Sequence, residues 1–405
     1  MAACGPFERQ PRIAAGVSGG ADSMALASLA DDWVRARDGS LLALVVDHGL
    51  RTDSALEAAE TMSRLGNLGI SSRCLTVTSL SRGPALAARA RDARYRALTG
   101  ACADAGILHL LLGHHISDQA ETLMIRVLSG SGGRGLAGMS ALQETGSLRI
   151  IRPLLAVSPS ALREFLRRAG IEWVEDPSNT DMRALRARLR RLRGMPDGED
   201  DATRSLFVAA RSAGEHRAAN ERAIATVLAE RVTIWPEGFA LLSPGPIAPE
   251  ALGELVRVIT GAVFAPGVDQ IAALAARPRP HTVWGVRLMP AGRWGEGLLL
   301  VKEQAAIAPP MPVANGMIWD GRFRLRVDPP LAERMTIGAL GADAIHLRRR
   351  SKLPSAVLRT VPALRRGNIL VAVPHLLYPA GMACTGVRAV FSPPRPLASA
   401  PFVPA

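Results

Sequence analysis

The sequence predicts an α/β protein, with a doubly wound parallel sheet in the first half of the chain and smaller helical and α+β domains after it. Apolar, strand-like runs alternate with stretches of helical periodicity through the first half. A glycine-rich turn stands directly between one such run and one such helix, at Ser18–Ser23. A polar break at Met195–Asp200 ends the alternation. Alternation of this kind implies parallel strands joined by right-handed crossovers.

Each element of the first half follows from its apolar pattern. The run Ile13–Val17 predicts a strand, and Met24–Ala30 predicts the helix that follows the glycine turn. Leu56, Ala59, Met62 and Leu65 recur at helical spacing, which indicates an amphipathic helix. The remaining predicted elements are the strands Leu41–Asp47, Ser72–Val77 and Ile107–Gly113, and the helices Ser54–Leu68, Pro84–Ala105 and Asp118–Leu128.

The second half is predicted to form two further domains. Asp201–Val232 is mainly helical in pattern, Thr282–Leu288 and Gly297–Val301 are predicted to be strands of a hairpin, and Met317–Val327 is predicted to be extended. Ala305–Ala314 is an Ala/Pro linker, Ile345–Pro374 is basic, and the Pro/Ala-rich tail Ser392–Ala405 is predicted to be disordered. We therefore expect domains at 1–195, 196–305 and 306–405.

The charge of the chain favours a polyanionic partner. Lysine and arginine number 49 against 36 acidic residues, a net charge of +13. The only lysines are Lys302 and Lys352, so arginine carries almost all of the excess. Arginine suits phosphate forks and base stacking, although the abundance of Ala and the near absence of Lys attribute part of the excess to genome composition.

Cysteine usage and hydropathy predict a cytoplasmic protein. The four cysteines, Cys4, Cys74, Cys102 and Cys384, are widely separated and form no C-x-x-C pair. This argues against a zinc ribbon, an iron–sulfur cluster or a disulfide framework. The first residues lack the pattern of a secretory signal. The apolar runs are far shorter than the roughly 20 residues that a membrane span needs, so no membrane partner is expected.

The turn Ser18-Gly19-Gly20-Ala21-Asp22-Ser23 is predicted to bind phosphate. A strand–turn–helix order points backbone N–H groups and the positive end of a helix at the same place. Asp22 is unusual beside an anion unless a metal ion accompanies it, so a nucleotide triphosphate with Mg²⁺ fits both facts. Gly16–Gly20 also matches G-x-S-x-G, the nucleophile elbow of a serine hydrolase, which would use Ser18. A Walker A loop is excluded because no lysine follows the glycines.

The turn resembles the PP-loop of the N-type ATP pyrophosphatases, and further stretches in the same order resemble one family among them, the tRNA(Ile)-lysidine synthetases. The similarity covers roughly the first half of the chain. The stretches are Val46–Arg51, Ala90–Tyr95, Gly113–Thr122, Gly130–Met139, Arg152–Leu155 and Trp173–Asp181.

The resemblance implies an adenine nucleotide alpha hydrolase-like fold and a ligase that consumes ATP. Its substrates would be ATP, free L-lysine and the tRNA(Ile) with a CAU anticodon. The base would be adenylated and then attacked by lysine, giving lysidine, AMP and pyrophosphate. Mg²⁺ would accompany ATP, with Asp22 as its ligand. Members of the family often dimerise, so a homodimer is also implied.

The resemblance assigns candidate roles to particular residues. Ser18, Gly19, Gly20, Ala21, Asp22 and Ser23 would hold ATP. Asp22, Arg91, His115 and Asp118 are the catalytic candidates. Asp118 and Glu121 share one helix face and would bind the lysine ammonium, whereas capping of that helix is the structural alternative. Ser117 stands where the family usually has an aspartate.

An arginine run after the last motif is the candidate tRNA contact. Arg186, Arg188 and Arg190 belong to it, and Ala187 replaces the asparagine that the family typically has between two arginines. A solvated charged face is the alternative interpretation.

Three other functions stay open at this point. Another PP-loop tRNA-modifying enzyme, such as a thiolase, generally needs paired cysteines, which the chain lacks. A serine hydrolase would use Ser18. A non-catalytic RNA-binding module would keep only the nucleotide-binding fold.

Overall fold

A computed structural model describes residues 1, 4–49, 54–77, 83, 86–175, 200–328, 335–379, 386–398 and 400–405. These residues divide into two compact units. The first comprises residues 1–221 together with 400–405, and the second comprises residues 222–399. Among the described residues, no helix combines the length and hydropathy that a membrane crossing requires.

The first unit is built on a six-stranded, mainly parallel sheet. Its strands lie in the order β3-β2-β1-β4-β6-β5, and only the edge pair β5–β6 is antiparallel. The α/β class and the parallel sheet predicted from the alternating pattern are thereby confirmed. The strands are β1 (Arg12–Val17), β2 (Ser40–Asp47), β3 (Ser72–Thr76), β4 (His109–Leu112), β5 (Leu142–Glu144) and β6 (Arg149–Ile151).

Helices cover both faces of this sheet. Along β1, Ile13, Ala15 and Val17 pack into one core cluster and Ala14 into another, as the two-residue period of a strand requires. The first cluster includes Leu26 of α1, and the second includes Leu98 of α3. The helices are α1 (Ala21–Arg35), α2 (Ser54–Asn67), α3 (Leu86–Asp104), α4 (Ile116–Leu128), α5 (Gly133–Leu136) and α6 (Pro159–Arg168). The first unit also contains residues 201–221 of the long helix Asp201–Arg231.

The strand order places a topological switch point between β1 and β4. From β1 the chain proceeds to β2 and β3 on one side, and it then returns to β4 on the other side. Ligands of open α/β sheets bind at such a point, beyond the carboxyl ends of the strands. The turn after β1 and the residues after β4 are therefore neighbours in space although about a hundred residues separate them in sequence.

The second unit is rich in antiparallel strands. Its first sheet has the order β7-β8-β11-β10-β9, and two smaller sheets have the orders β12-β15-β16-β17 and β13-β14-β18. The strands are β7 (Val232–Trp235), β8 (Phe239–Leu242), β9 (His281–Val283), β10 (Val286–Pro290), β11 (Leu298–Lys302), β12 (Met311–Pro312), β13 (Ile318–Trp319), β14 (Phe323–Val327), β15 (Met335–Ala339), β16 (Pro362–Arg366), β17 (Ile369–Ala372) and β18 (Val387–Phe391). The α-helices are Pro249–Thr260, Val268–Ala276, Ala344–Leu347 and Ser355–Leu358.

Two segments predicted to be single extended runs are hairpins. Within Thr282–Leu288 the chain reverses at Trp284 and Gly285, whose φ angles are +50° and +75°. Within Met317–Val327 it reverses at Asp320 and Gly321, with φ angles of +57° and +65°. Two consecutive residues with positive φ match the twist of the strands on either side of a tight hairpin. Glycine at the second of the two positions adopts this conformation without a steric penalty.

A buried ion cluster lies beside the second of these turns. The Asp320 carboxylate accepts from Lys302 Nζ at 2.6 Å and from Arg322 Nε at 2.8 Å. The Arg322 and Asp320 side chains are fully buried, and the Lys302 side chain is 6% exposed. Burial lowers the pKa of Lys302 and of Arg322, while Asp320 acts in the opposite direction. The three groups depend on one another because each would otherwise leave a buried charge unpaired.

The tail differs from the disorder that its composition predicts. Residues 400–405 belong to the first unit, and Phe402 is only 7% exposed in a cluster with Ala137 and Ala218. Apolar burial and a backbone hydrogen bond from the residue 141 amide to Val403 offset the entropy that a Pro/Ala-rich segment loses on ordering. The domain boundaries expected at 196 and 306 stay a prediction.

Candidate active site

The turn after β1 is a preformed cradle at the amino end of α1. The Ser18 amide donates to Ser23 Oγ at 3.1 Å, and the two serine hydroxyls lie 3.2 Å apart. Ser23 Oγ donates to the Gly20 carbonyl at 2.9 Å. Gly20 occupies the N-cap, so no side chain caps the helix. The turn thus presents the positive end of α1 without a competing cap, which suits a phosphate group.

Glycine is required at residue 19 on two grounds. Its φ angle is +85°, and a Cβ placed there would lie 2.3 Å from Thr61 Oγ1 of α2. The Gly19 carbonyl also accepts a hydrogen bond from the Val174 amide at 2.8 Å. The turn is therefore clamped between α2 and the segment after α6.

His115 joins the turn after β1 to helix α4. Its Nε2 atom lies 3.5 Å from Asp22 Oδ2 and 3.5 Å from Asp118 Oδ2. The His115 amide also donates to Asp118 Oδ2 at 3.1 Å, which fixes that carboxylate at the first turn of the helix. Asp22 is the accessible member, with 37% of its side chain exposed. Three of the predicted catalytic residues thus form one cluster.

Gly113 allows the two turns to approach each other. It follows β4 directly, and a Cβ at this position would lie 3.0 Å from the Asp22 carbonyl oxygen. That distance is too short for a methyl group without displacement of the backbone. The close approach places the turn that carries Asp22 beside the turn that carries His115.

Two further carboxylates, Glu121 and Asp47, occupy different settings. Glu121 is fully buried one turn further along α4, on the same face as Asp118. Asp47, at the end of β2, accepts a hydrogen bond from the Gly49 amide at 2.9 Å. The hydrogen bond from the Gly49 amide is the largest cause that lowers the pKa of Asp47. A hydrogen bond from the Ser54 hydroxyl lowers that pKa further. Asp47 therefore organises its own turn.

A second polar group surrounds His114, which is 8% exposed. Burial lowers its pKa to about 3; the Asp118 carboxylate opposes this shift, and the charges of Arg152, Arg91 and Arg94 add to it. His114 Nδ1 has no hydrogen-bond partner among the described residues. The imidazole is consequently neutral near pH 7.

Arg91 and Arg152 meet at the same tyrosine. Arg91 Nη2 donates to the Tyr95 hydroxyl at 3.3 Å, and its guanidinium lies over the Tyr95 ring at 5.1 Å. Arg152 is buried and donates from Nη1 to the Ser140 carbonyl at 2.9 Å; burial lowers the pKa of Arg152, and the nearby Tyr95 opposes that shift. The sequence named Arg91 as a catalytic candidate and His114 as a possible metal ligand by residue type, but gave no role to Arg152 or Tyr95. Their only sequence signal is membership of the quoted motifs.

The predicted tRNA-contacting residues Arg186, Arg188 and Arg190 lie outside the described residues, so their assignment stays a prediction. Ser117 is 2% exposed, and its hydroxyl has no hydrogen-bond partner in the described part of the chain. The serine hydrolase interpretation gains no geometric support, because the Ser18 hydroxyl faces Ser23 and the ring of His115 faces carboxylates.

A glycine cradle between β1 and α1, at the switch point of a mainly parallel sheet, defines a PP-loop protein. Residues 3–193 match the PP-loop domain family. A tRNA(Ile)-lysidine synthase from Ruegeria pomeroyi is 34% identical over 383 residues, which cover 91% of this chain and 90% of that protein. One from Mesorhizobium japonicum is 36% identical over 82% of this chain and 75% of that protein. The chain belongs to the tRNA(Ile)-lysidine synthase family.

Among solved structures, the U34-tRNA thiolase NcsA from Methanococcus maripaludis, with its [4Fe-4S] cluster, matches with a TM-score of 0.44 and 16% identity. The match covers 53% of this chain and 77% of that chain.

Proposed function

We propose that this protein uses ATP to join free L-lysine to C2 of the wobble cytidine in tRNA(Ile) with a CAU anticodon, giving lysidine, AMP and pyrophosphate. The observation that carries the proposal is the Asp22–His115–Asp118 cluster directly beside the phosphate cradle. Membership of the family supplies the substrate class. We propose that the protein is located in the cytoplasm, which is a reducing compartment.

The first half-reaction activates the base. The cytosine O2 attacks the α-phosphorus of ATP, the bond from that phosphorus to the bridging oxygen breaks, and pyrophosphate leaves. Ser18, Ser23 and the first-turn N–H groups of α1 would hold the departing pyrophosphate, because oriented donors stabilise developing negative charge. Arg91 would add positive charge near the transferred phosphoryl group. The positive charge of Arg91 also helps to lower the pKa of His114.

The second half-reaction displaces AMP. The ε-amine of lysine forms a bond to C2, the C2–O bond breaks, and the adenylate leaves with that oxygen. Asp118 and Glu121 would bind the ammonium form of lysine, since buried carboxylates favour a cation. His115, between two carboxylates, would accept the proton that the amine loses.

The residues at the cradle fit Mg²⁺ bound through the nucleotide. Among the described residues no group of three or more His, Cys, Asp or Glu side chains could enclose a metal ion. Mg²⁺ commonly uses one or two carboxylates together with substrate phosphates and water, and Asp22 supplies a partly exposed carboxylate in the right place. The ion would neutralise charge on the phosphates.

The proposal is tested by supplying all three substrates to the purified protein. ATP, lysine and a tRNA(Ile) transcript with CAU should give lysine-dependent AMP and pyrophosphate, and a transcript with an altered anticodon should give neither. Asp22→Ala should remove the activity. No ATP binding and no pyrophosphate in the complete mixture would overturn the proposal. Labelling of Ser18 by a fluorophosphonate probe would instead favour a serine hydrolase.

The same purified protein tests the homodimer that the family resemblance implies. Its mass by light scattering should be twice that of the 42.9 kDa chain. The role of Arg186, Arg188 and Arg190 is tested separately: their replacement should weaken tRNA binding and reduce its salt dependence, because phosphate contacts release counterions.

A further inference from the structure

Residues 400–405 form a segment that is built into the first unit. The Phe402 ring packs against Ala137 and Ala218, and the Arg217 guanidinium lies 4.6 Å from its centroid. The Phe402 amide donates to Glu221 Oε2 at 2.8 Å. An aromatic side chain buried to this extent is an anchor and not an incidental surface contact.

Val403 extends this anchor by hydrogen bonding to the chain around residue 140. The Ala141 amide donates to the Val403 carbonyl at 2.8 Å. The Val403 amide in turn donates to Ser140 Oγ at 3.0 Å. Ser140 Oγ also lies 2.6 Å from the Leu142 carbonyl, the first residue of β5. The segment therefore fixes the backbone that leads into the edge strand of the main sheet.

The same backbone is bonded to the candidate active site in two places. The Met139 amide donates to Gln119 Oε1 at 2.6 Å, and Gln119 Nε2 donates to the Met139 carbonyl at 2.8 Å. Gln119 is buried and directly follows Asp118 in α4. The Ser140 carbonyl accepts a hydrogen bond from Arg152 Nη1 at 2.9 Å. The positive charge of Arg152 in turn helps to lower the pKa of His114.

We propose that Phe402 and Val403 are positioning residues for the ligation step: by fixing residues 139–141 they hold Gln119, and with it the Asp118 and Glu121 carboxylates, at the position that binds lysine. The inference rests on the proposed function. It assigns a kinetic role to a segment that lies about 260 residues from the motifs in sequence.

A positioning role and a purely structural role predict different kinetics. Displacement of the α4 carboxylates should weaken lysine binding, while the cradle after β1, which lies on another element, should still support adenylation. Simple loss of stability would lower both half-reactions together. Pyrophosphate release without lysine reports the first step, and the KM for lysine reports the second.

The test compares Phe402→Ala, deletion of residues 400–405, and Phe402→Leu as the conservative replacement. Phe7→Ala is the matched control, because Phe7 is an aromatic residue of the same unit that contacts His109 at the amino end of β4, opposite the candidate site. We expect Phe402→Ala and the deletion to raise the KM for lysine about ten-fold or more, since small displacements in an active site are costly. Lysine-independent pyrophosphate release should stay within about two-fold of wild type, and Phe402→Leu should restore most of the lysine affinity.

Hydrogen exchange supplies a readout that does not require turnover. The amides of residues 138–142 should exchange faster in Phe402→Ala than in Phe7→Ala at matched thermal stability. An unchanged KM for lysine in an active Phe402→Ala protein would overturn the inference, as would equal losses in both half-reactions. If the wild-type protein itself shows no lysine-dependent AMP, the proposed function fails first, and the exchange experiment still decides whether Phe402 fixes residues 139–141.

Discussion

His115 Nε2 lies 3.5 Å from the Asp22 carboxylate, and this contact joins the turn after β1 to the turn after β4. The same nitrogen lies 3.5 Å from Asp118, so one imidazole connects a carboxylate beside the phosphate cradle to one on α4. The proposed chemistry needs such a connection. The two half-reactions use different substrates but share the atoms of one cytosine ring.

Replacing Asp22 by asparagine tests the role of its charge. Pyrophosphate release should fall by about 100-fold or more, because the carboxylate is the proposed ligand of the metal ion that accompanies ATP. The melting temperature should stay close to that of wild type, because 37% of the side chain is exposed.

Asp31→Asn is the control for this experiment. Asp31 lies on the same helix and pairs with Arg35 at 2.5 Å, away from the cradle. Its replacement should cost less than about 0.5 kcal/mol and leave pyrophosphate release unchanged. Wild-type turnover in Asp22→Asn would contradict the assignment.

Gly19→Ala should abolish ATP binding. The left-handed conformation costs about 1–2 kcal/mol for a residue with a Cβ, and the clash with Thr61 adds a similar amount. Isothermal titration with a non-hydrolysable ATP analogue measures the loss. Gly66→Ala is the matched control on α2, where an added Cβ meets nothing within 4 Å. That change should stabilise the protein by about 0.5–1 kcal/mol, and ATP binding should persist.

The stability of the first unit should depend on pH through His114. Its folded-state pKa, about 3, lies below the ordinary value of 6.5. The unfolded chain therefore binds more protons between these two values, so this group's contribution is fully present above pH 6.5 and is lost as the pH falls toward 3. Urea unfolding of wild type and His114→Gln over this range measures the difference. A difference between the two proteins that does not change with pH would contradict the buried, neutral imidazole.

Asp320→Asn should destabilise the second unit strongly. The change removes the shared partner of Lys302 and Arg322 and leaves two buried cations without a counter-charge. Breaking a buried ion cluster in this way typically costs about 3–5 kcal/mol. Chemical unfolding followed by tryptophan fluorescence reports it, since Trp319 lies next to Asp320 in the sequence and is fully buried.

Asp328→Asn is the control for Asp320→Asn, because it removes a carboxylate from an exposed ion pair instead of a buried one. Asp328 lies 3.8 Å from Arg388, and both side chains are largely exposed. Its loss should change the free energy of unfolding by less than about 0.5 kcal/mol. Equal effects of the two substitutions would argue against an energetic role for the buried cluster.

The main sheet could be predicted because its strands are buried and its crossovers are regular. The run Ile13–Val17 and the run Ile107–Gly113 are apolar on both faces, which is typical of a central parallel strand. The antiparallel edge strand β5 and the hairpins at Trp284 and Asp320 were not predicted. Each of them depends on a single turn residue or on a strand of three residues. Segments this short contain too few residues for a hydrophobic period to be recognised.

The sequence predicted which residues belong to the candidate site better than it predicted which of them contact one another. Asp22, His115 and Asp118 follow strand ends, so the topology of the sheet brings them together. The grouping of Tyr95, Arg152 and His114 depends on how α3 packs against β4 and β6, and no local pattern encodes that packing. The contact of Val403 with residue 141 joins positions about 260 residues apart in the sequence, which only the folded chain reveals.

A Cβ on Gly113 would lie 3.0 Å from the Asp22 carbonyl oxygen, so the neighbouring backbone would have to move by a few tenths of an ångström to admit a methyl group. A larger residue at this position should therefore press on the turn that carries Asp22, the proposed ligand of the metal ion that accompanies ATP. We expect changes of substrate preference to be introduced more readily through side chains on α3 and α4, because their replacement leaves the spacing of the two turns unchanged.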